Sequence, residues 1–182
     1  TKHLKDWGSR VSVDISIKVP DNVEVEHVKT SNGDIEVVGV SGDTEVICLN
    51  GGITVKDIDG YVKASTENGN IEIEGTEGIG DLDCSNGDID VEVLDIARDI
   101  EIKSKNGAID VYLNPSINAD IGASTTNGEI SIDDLELVLV SSSRDEIKGK
   151  LGDGGSRIEI STENGNINLY ELVFPETVEE SE

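Results

Sequence analysis

The dipeptide Asn-Gly stands at Asn32, Asn50, Asn68, Asn86, Asn106, Asn127 and Asn164, at spacings of 18, 18, 18, 20, 21 and 37 residues. Counting from each Asn, position plus three is Ile35, Ile53, Ile71, Ile89, Ile109, Ile130 and Ile167, isoleucine in every unit. Position plus five is Val37, Val55, Ile73, Val91, Val111, Ile132 and Leu169, so a short strand with an apolar inward face follows each turn. Before the turn, position minus four is Val28, Val46, Ala64, Leu82, Ile102, Ala123 and Ile160. Position minus two is Thr30, Cys48, Thr66, Cys84, Ser104, Thr125 and Thr162. A second strand therefore precedes each turn, with small residues leaving room at the corner.

Self-similarity at this period marks a solenoid, in which each unit buries its apolar face only by stacking on its neighbours. The expected fold is all-β: a single-chain parallel β-helix of about seven to eight coils of 18–21 residues, wound right-handed as parallel crossovers favour. The alternative is an antiparallel β-meander or sandwich, since Asn-Gly between alternating apolar residues is also a hairpin signal. A long meander leaves an edge and a face exposed, with no helix or second domain to cover them. A left-handed hexapeptide helix is excluded, because six residues beyond Ile35 stands Ser41 and six beyond Ile53 stands Asp59.

The whole chain, 1–182, reads as one domain. Residues 1–27 would cap the first coil, with Val11, Val13, Ile15, Ile17 and Val19 alternating and Trp7 packed nearby. Residues 28–132 hold the regular coils. Residues 133–157 lack the Asn-Gly turn and read as an irregular coil and loop. Residues 158–174 form the last coil, with a cap at Phe174 and Pro175, and 175–182 an acidic tail. The 3% aromatic content fits a thin aliphatic interior rather than a thick core. The chain starts at Thr1 and contains no Met, so an upstream segment, with a signal or anchor, is expected to have been removed.

The formal charge of -25 repels phosphate backbones and anionic headgroups, so nucleic acid and membrane surfaces are poor partners. No stretch approaches the ~18 apolar residues of a membrane helix, so this segment is not expected to insert directly.

Three stretches together resemble the toast-rack or DUF4097 adhesin-like family of prokaryotic envelope proteins. They are the opening strand ending in Lys18-Val19-Pro20, the Thr-x-Asn-Gly-x-Ile units such as Thr66–Ile71, and Ile147–Gly152 followed by Arg157–Ile167. The resemblance covers nearly the whole chain and implies a β-helical, envelope-associated, non-catalytic domain, with no catalytic residues to transfer. The acidity departs from that pattern and suggests a salt-rich setting.

The Asn row is best explained structurally, because Asn and Gly tolerate positive φ and stacked Asn side chains can hydrogen-bond along the axis. Cys48 and Cys84 share the inward minus-two position two coils apart, roughly 9–10 Å at strand spacing, which predicts two free buried thiols. At plus four, Glu72, Asp90 and Asp110 follow one another down the outer face. A calcium ion could bridge such a row, but a solvated face screened by salt is the expected state, so no metal and no cofactor is expected. Both histidines, His3 and His27, lie near the start and match no nucleophilic triad, so the chain is not expected to be an enzyme. A carbohydrate-active β-helix enzyme is the main rival, with a carboxylate and basic cluster placed near Arg144, Asp145 and Glu146; a purely architectural spacer is the third reading. The leading expectation is a cell-surface module, anchored through a segment missing from this chain, that presents a rigid face to a protein or cell-wall polysaccharide. Oligomeric state is left open.

Overall fold

The structure is a computed structural model that describes residues 16–18, 20 and 23–174. Trp7, His3, most of the expected opening strand, Pro175 and the acidic tail lie outside the described residues. Among the described residues there is no helix.

Seven strand–corner–strand units repeat along the chain: β1 (His27–Asn32) with β2 (Ile35–Val38), β3 (Thr44–Asn50) with β4 (Ile53–Lys56), β5 (Tyr61–Asn68) with β6 (Ile71–Glu74), β7 (Gly78–Asn86) with β8 (Ile89–Val93), β9 (Ile100–Asn106) with β10 (Ile109–Leu113), β11 (Ala119–Asn127) with β12 (Ile130–Asp133), and, after the hairpin β13 (Val138–Ser142) and β14 (Glu146–Leu151), β15 (Ser156–Asn164) with β16 (Ile167–Glu171). Each longer strand ends on the repeat Asn and each shorter one starts on the repeat Ile, so the dipeptide sets both boundaries. The strands form two open, mainly parallel sheets, a solenoid-like arrangement, with like positions in register: Ile35, Ile53, Ile71, Ile89 and Ile109 lie on one ladder. On the return side, isolated bridges join Glu24 to Ser41 and Ser41 to Asp59.

The corners are built by side chain and backbone together. The Asn ladder is continuous: Asn50 Nδ2 donates to Asn32 Oδ1 at 3.2 Å and Asn68 Nδ2 to Asn50 Oδ1 at 3.0 Å. The minus-two residues do more than leave room. The Thr66 hydroxyl donates to the Gly51 carbonyl at 3.0 Å, and the Cys84 thiol to the Gly69 carbonyl at 3.3 Å. A small side chain with an O–H or S–H thus satisfies the buried carbonyl of the neighbouring corner, which accounts for Thr, Cys and Ser alternating there.

The spatial order of units departs from the sequence order. The nine-stranded sheet runs β1-β3-β5-β7-β9-β15-β11-β14-β13, and the seven-stranded sheet runs β12-β16-β10-β8-β6-β4-β2. The last unit of the chain is therefore inserted between the fifth and the sixth. Hydrogen bonds follow this order: Asn164 Nδ2 donates to Asn106 Oδ1 at 2.8 Å, and Asn127 Nδ2 to Asn164 Oδ1 at 2.9 Å. Ile167 is fully buried as a consequence, whereas Ile130, in the unit that ends the stack, is only partly covered.

Within residues 133–157, expected as an irregular coil and loop, β13 and β14 form an antiparallel hairpin whose inner strand β14 pairs antiparallel with β11. This segment carries no Asn-Gly, and Ser143 closes its turn through Asp145 and the Glu146 amide. Ile147 and Leu151 face inward and, with buried Leu135, cover the end of the interior. Near the two ends of the described residues, Ile17 and Phe174 are exposed, while Leu172 is buried and its amide donates to the Leu113 carbonyl at 2.9 Å.

Among the described residues, one buried side-chain polar atom lacks a hydrogen-bond partner. Thr76 is fully buried and its hydroxyl has no partner. It stands eighteen residues after buried Ile58, one period on. An unsatisfied buried hydroxyl costs about 1–3 kcal/mol. Thr76→Val is expected to raise stability by roughly 1–2 kcal/mol, measured as a shift of the urea unfolding midpoint at unchanged slope.

Candidate functional site

The acidic row at plus four is assembled as the spacing requires. Glu72 pairs in register with Asp90, and Asp90 with Asp110. Lys56 Nζ contacts Glu72 at 3.0 Å and Glu74 at 2.9 Å, closing one end of the row. At the other end Asn168 Nδ2 donates to Asp110 Oδ1 at 2.6 Å. Burial, then the charges of Asp110 and Glu72, raise the Asp90 carboxyl above its ordinary pKa. Lys56 and Asn168, at the two ends of the row, each relieve part of the like-charge repulsion. Among the described residues no group of three or more His, Cys, Asp or Glu is arranged to hold a metal ion.

Cys48 and Cys84 are free and buried, on strands separated by β5. Burial pushes the Cys84 thiol up from 9.0 to about 11, and raises Cys48 as well. Neither thiol is expected to react with a disulfide reagent at pH 8 until the chain unfolds. The unfolded chain ionises Cys84 first, so the stability it contributes is present below pH 9 and lost as pH rises toward about 11. Urea midpoints measured across that window check the sign.

Arg144, Asp145 and Glu146 lie at the hairpin turn. Arg144 reaches Glu129 at 2.6 Å, and Asp145 accepts from the Ser143 hydroxyl at 2.7 Å. Each is engaged in turn-building or in an exposed ion pair.

The richest grouping lies elsewhere, on the outer face of the nine-stranded sheet. An open cleft of about 580 Å³ is lined by Glu24, Glu26, His27, Asp43, Glu45, Tyr61, Lys63 and Arg98. His27 Nδ1 lies 3.1 Å from Glu45, and Lys63 Nζ 3.5 Å from Asp81. The Arg98 guanidinium covers the Tyr61 ring at 4.0 Å from its centroid and approaches Asp43 at 3.9 Å. Two glycines make this possible. A Cβ on Gly78 would fall 2.3 Å from the Tyr61 ring, and one on Gly80 would fall 2.6 Å from the Lys63 stem. Both side chains therefore lie down along the neighbouring strand.

Sequence reasoning missed this cleft because Tyr61 and Arg98 are 37 residues apart and Tyr61 looked isolated. The available signal was the lengthening of one period from 18 to 20 residues between Asn86 and Asn106. That extra length forms the segment carrying Arg98. A second aromatic pair, Tyr112 and Tyr170, stacks on the other sheet with centroids 4.9 Å apart, although 58 residues separate them, because β10 and β16 are neighbours.

The model of the family described as Toastrack DUF4097 matches residues 9–170. No curated protein matches the chain. A solved structure from Clostridium sporogenes ATCC 15579, named as a "putative cell adhesion protein", is similar at 16% identity and a TM-score of 0.38, over 71% of this chain and 56% of that one. The chain thus spans little more than half the length of that protein.

Proposed function

The chain belongs to the Toastrack DUF4097 family, and from that premise we propose that it is a non-catalytic cell-surface module whose rigid outer face contacts a neighbouring protein or a cell-wall polysaccharide. The repeating units are taken as the coils of a right-handed solenoid, the hand that parallel crossovers favour.

The observation that carries this reading is the cleft around Tyr61 and Arg98. Binding sites combine an apolar surface with a few placed polar groups on a scaffold that does not move. Tyr61 supplies the ring, and Asp43, Glu45, His27 and Arg98 supply donors and acceptors. All but Arg98 stand on or beside strands held in a continuous ladder. Hydroxyl-rich polymers and peptide chains both meet such a surface through hydrogen bonds and stacking. The high negative charge keeps the module soluble and disfavours anionic partners.

The purified chain is to be incubated with cell-wall and extracellular polysaccharides and with envelope protein extracts, recording retention and released sugar ends together. The expected result is retention without turnover, weakened about tenfold, roughly 1.4 kcal/mol, by Tyr61→Ala combined with Arg98→Ala. Released ends would show an enzyme. Retention indifferent to that double substitution would remove the cleft from the account, and no retention would leave an architectural spacer.

A further inference from the structure

The inserted last unit creates a slot, and the slot is filled by contacts that do not depend on which chain supplies them. β15 pairs in parallel with β9 on one side and β11 on the other, and β16 likewise lies between β10 and β12. Thr162 donates its hydroxyl to the Gly107 carbonyl at 3.0 Å, and Thr125 donates to the Gly165 carbonyl at 2.8 Å. Inside, Ile158, Ile160, Ile167 and Leu169 are all but fully buried.

Two further observations bear on this slot. Ser65–Ile71 and Ser161–Ile167 are the same seven residues, Ser-Thr-Glu-Asn-Gly-Asn-Ile. The slot therefore recognises the general repeat corner rather than a unique plug. The tether is also short and glycine-rich. Between Leu151 of β14 and Ser156 of β15 the chain crosses from one side of β11 to the other, turning around Asn118. The Asp153 amide donates to Asn118 Oδ1 at 2.8 Å, and Gly152 takes a φ of 58°. A Cβ on Gly155 would stand 2.7 Å from the Asn118 carbonyl oxygen. This tight crossing is the local geometry that distinguishes a unit inserted into its own chain from one inserted into another.

We propose that the slot between β9–β10 and β11–β12 also accepts residues 156–171 of a second copy, so that two chains associate by exchanging their last units. Exchange conserves every ladder and interior contact and changes only the tether, the condition under which swapping costs little. The charge of -25 on each chain opposes the encounter, so exchange is favoured by salt and by concentration. This association is independent of the cleft around Tyr61.

The test uses full-length chains with Cys48→Ser and Cys84→Ser, a residue already tolerated in that column as Ser104. One carries Lys103→Cys and the other Ser161→Cys, positions paired in register across the β9–β15 ladder. Their Cα atoms lie within the range a disulfide spans. The two are mixed, refolded together in 0.5 M salt (on the order of a Debye length of 4–5 Å) and oxidised. The expected result is a covalent heterodimer whose yield rises with concentration, while Lys103→Cys mixed with Ser124→Cys gives none. A chain carrying both cysteines is the folding control, closing on itself when dilute. Deleting Asp153 and Gly154 is expected to shift the population to dimer. If the double-cysteine chain closes normally while the mixed chains give no heterodimer at any concentration, the slot is filled only in cis and the proposal is overturned.

Discussion

Ile160→Asp is expected to lower the melting temperature by roughly 10–20 °C, or to abolish the cooperative transition, while Val28→Asp shifts it by only a few degrees. Both residues occupy the minus-four column. Val28 is in the first unit and is partly covered, whereas Ile160 is 1% exposed between Ile102 and Ala123. In a stack whose spatial order followed the chain, Ile160 would belong to a terminal unit, and a charge there would fray one end. Because its unit lies inside, the charge disrupts the interior on both sides. An unpaired buried charge costs on the order of 3–5 kcal/mol beyond the packing it removes, a large part of the ~5–15 kcal/mol by which a domain of this size is stable. Equal small shifts for the two variants, followed by calorimetry, would contradict the inserted order.

The second large effect is expected at a corner. Gly69 takes a φ of 149°, which L residues rarely adopt, and an added Cβ would fall 2.1 Å from the Gly51 carbonyl oxygen. The obstacle is backbone, held by the Gly51 amide donating to the Asn68 carbonyl at 2.8 Å, so neither side can yield. Gly69→Ala is expected to destabilise by roughly 3 kcal/mol or more, from strain and overpacking together, or about 6–12 °C in melting temperature. Asn68→Ala removes two links of the Asn ladder, its donation to Asn50 and its acceptance from Asn86, and is expected to cost about 2 kcal/mol. A reversed ranking in urea denaturation would mean that the side-chain ladder, not the close approach of the corners, holds the turn.

The parts of this fold that were legible in the sequence are those set by local periodicity. Asn at zero, Ile at plus three and an apolar residue at plus five establish the strand limits, the face that turns inward and the register between neighbours. The order of the units was not legible, for a physical reason. Ser65–Ile71 and Ser161–Ile167 are identical, and a corner that fits any neighbour carries no information about which neighbour it meets. The interval of 37 residues between Asn127 and Asn164 could be read as a degenerate coil because an antiparallel hairpin of the same length also alternates apolar residues. The minus-two column was recognised as small, but its hydrogen bonds to the corner carbonyls are long-range and left no sequence mark beyond the choice of Thr, Ser and Cys.

The cleft was hidden for a related reason. Tyr61 lies flat only because Gly78 is beneath it, and Arg98 reaches it only because one period is two residues longer. Both facts arise from neighbouring units rather than from the residue's own. The acidic row of Glu72, Asp90 and Asp110 was legible because it follows the repeat. What tempers it, Lys56 at one end and Asn168 at the other, depends on the spatial order, since Asn168 meets Asp110 only when β16 lies beside β10.

The central claim, that the last unit of the chain occupies the slot between the fifth and sixth, is tested most directly by methyl nuclear Overhauser contacts in an isotope-labelled sample. The predicted result is a strong contact between Ile102 and Ile160, another between Ile160 and Ala123, and none between Ile102 and Ala123, which lie two strands apart. A direct contact between Ile102 and Ala123, with Ile160 touching Ala123 alone, would place the units in chain order and contradict the account.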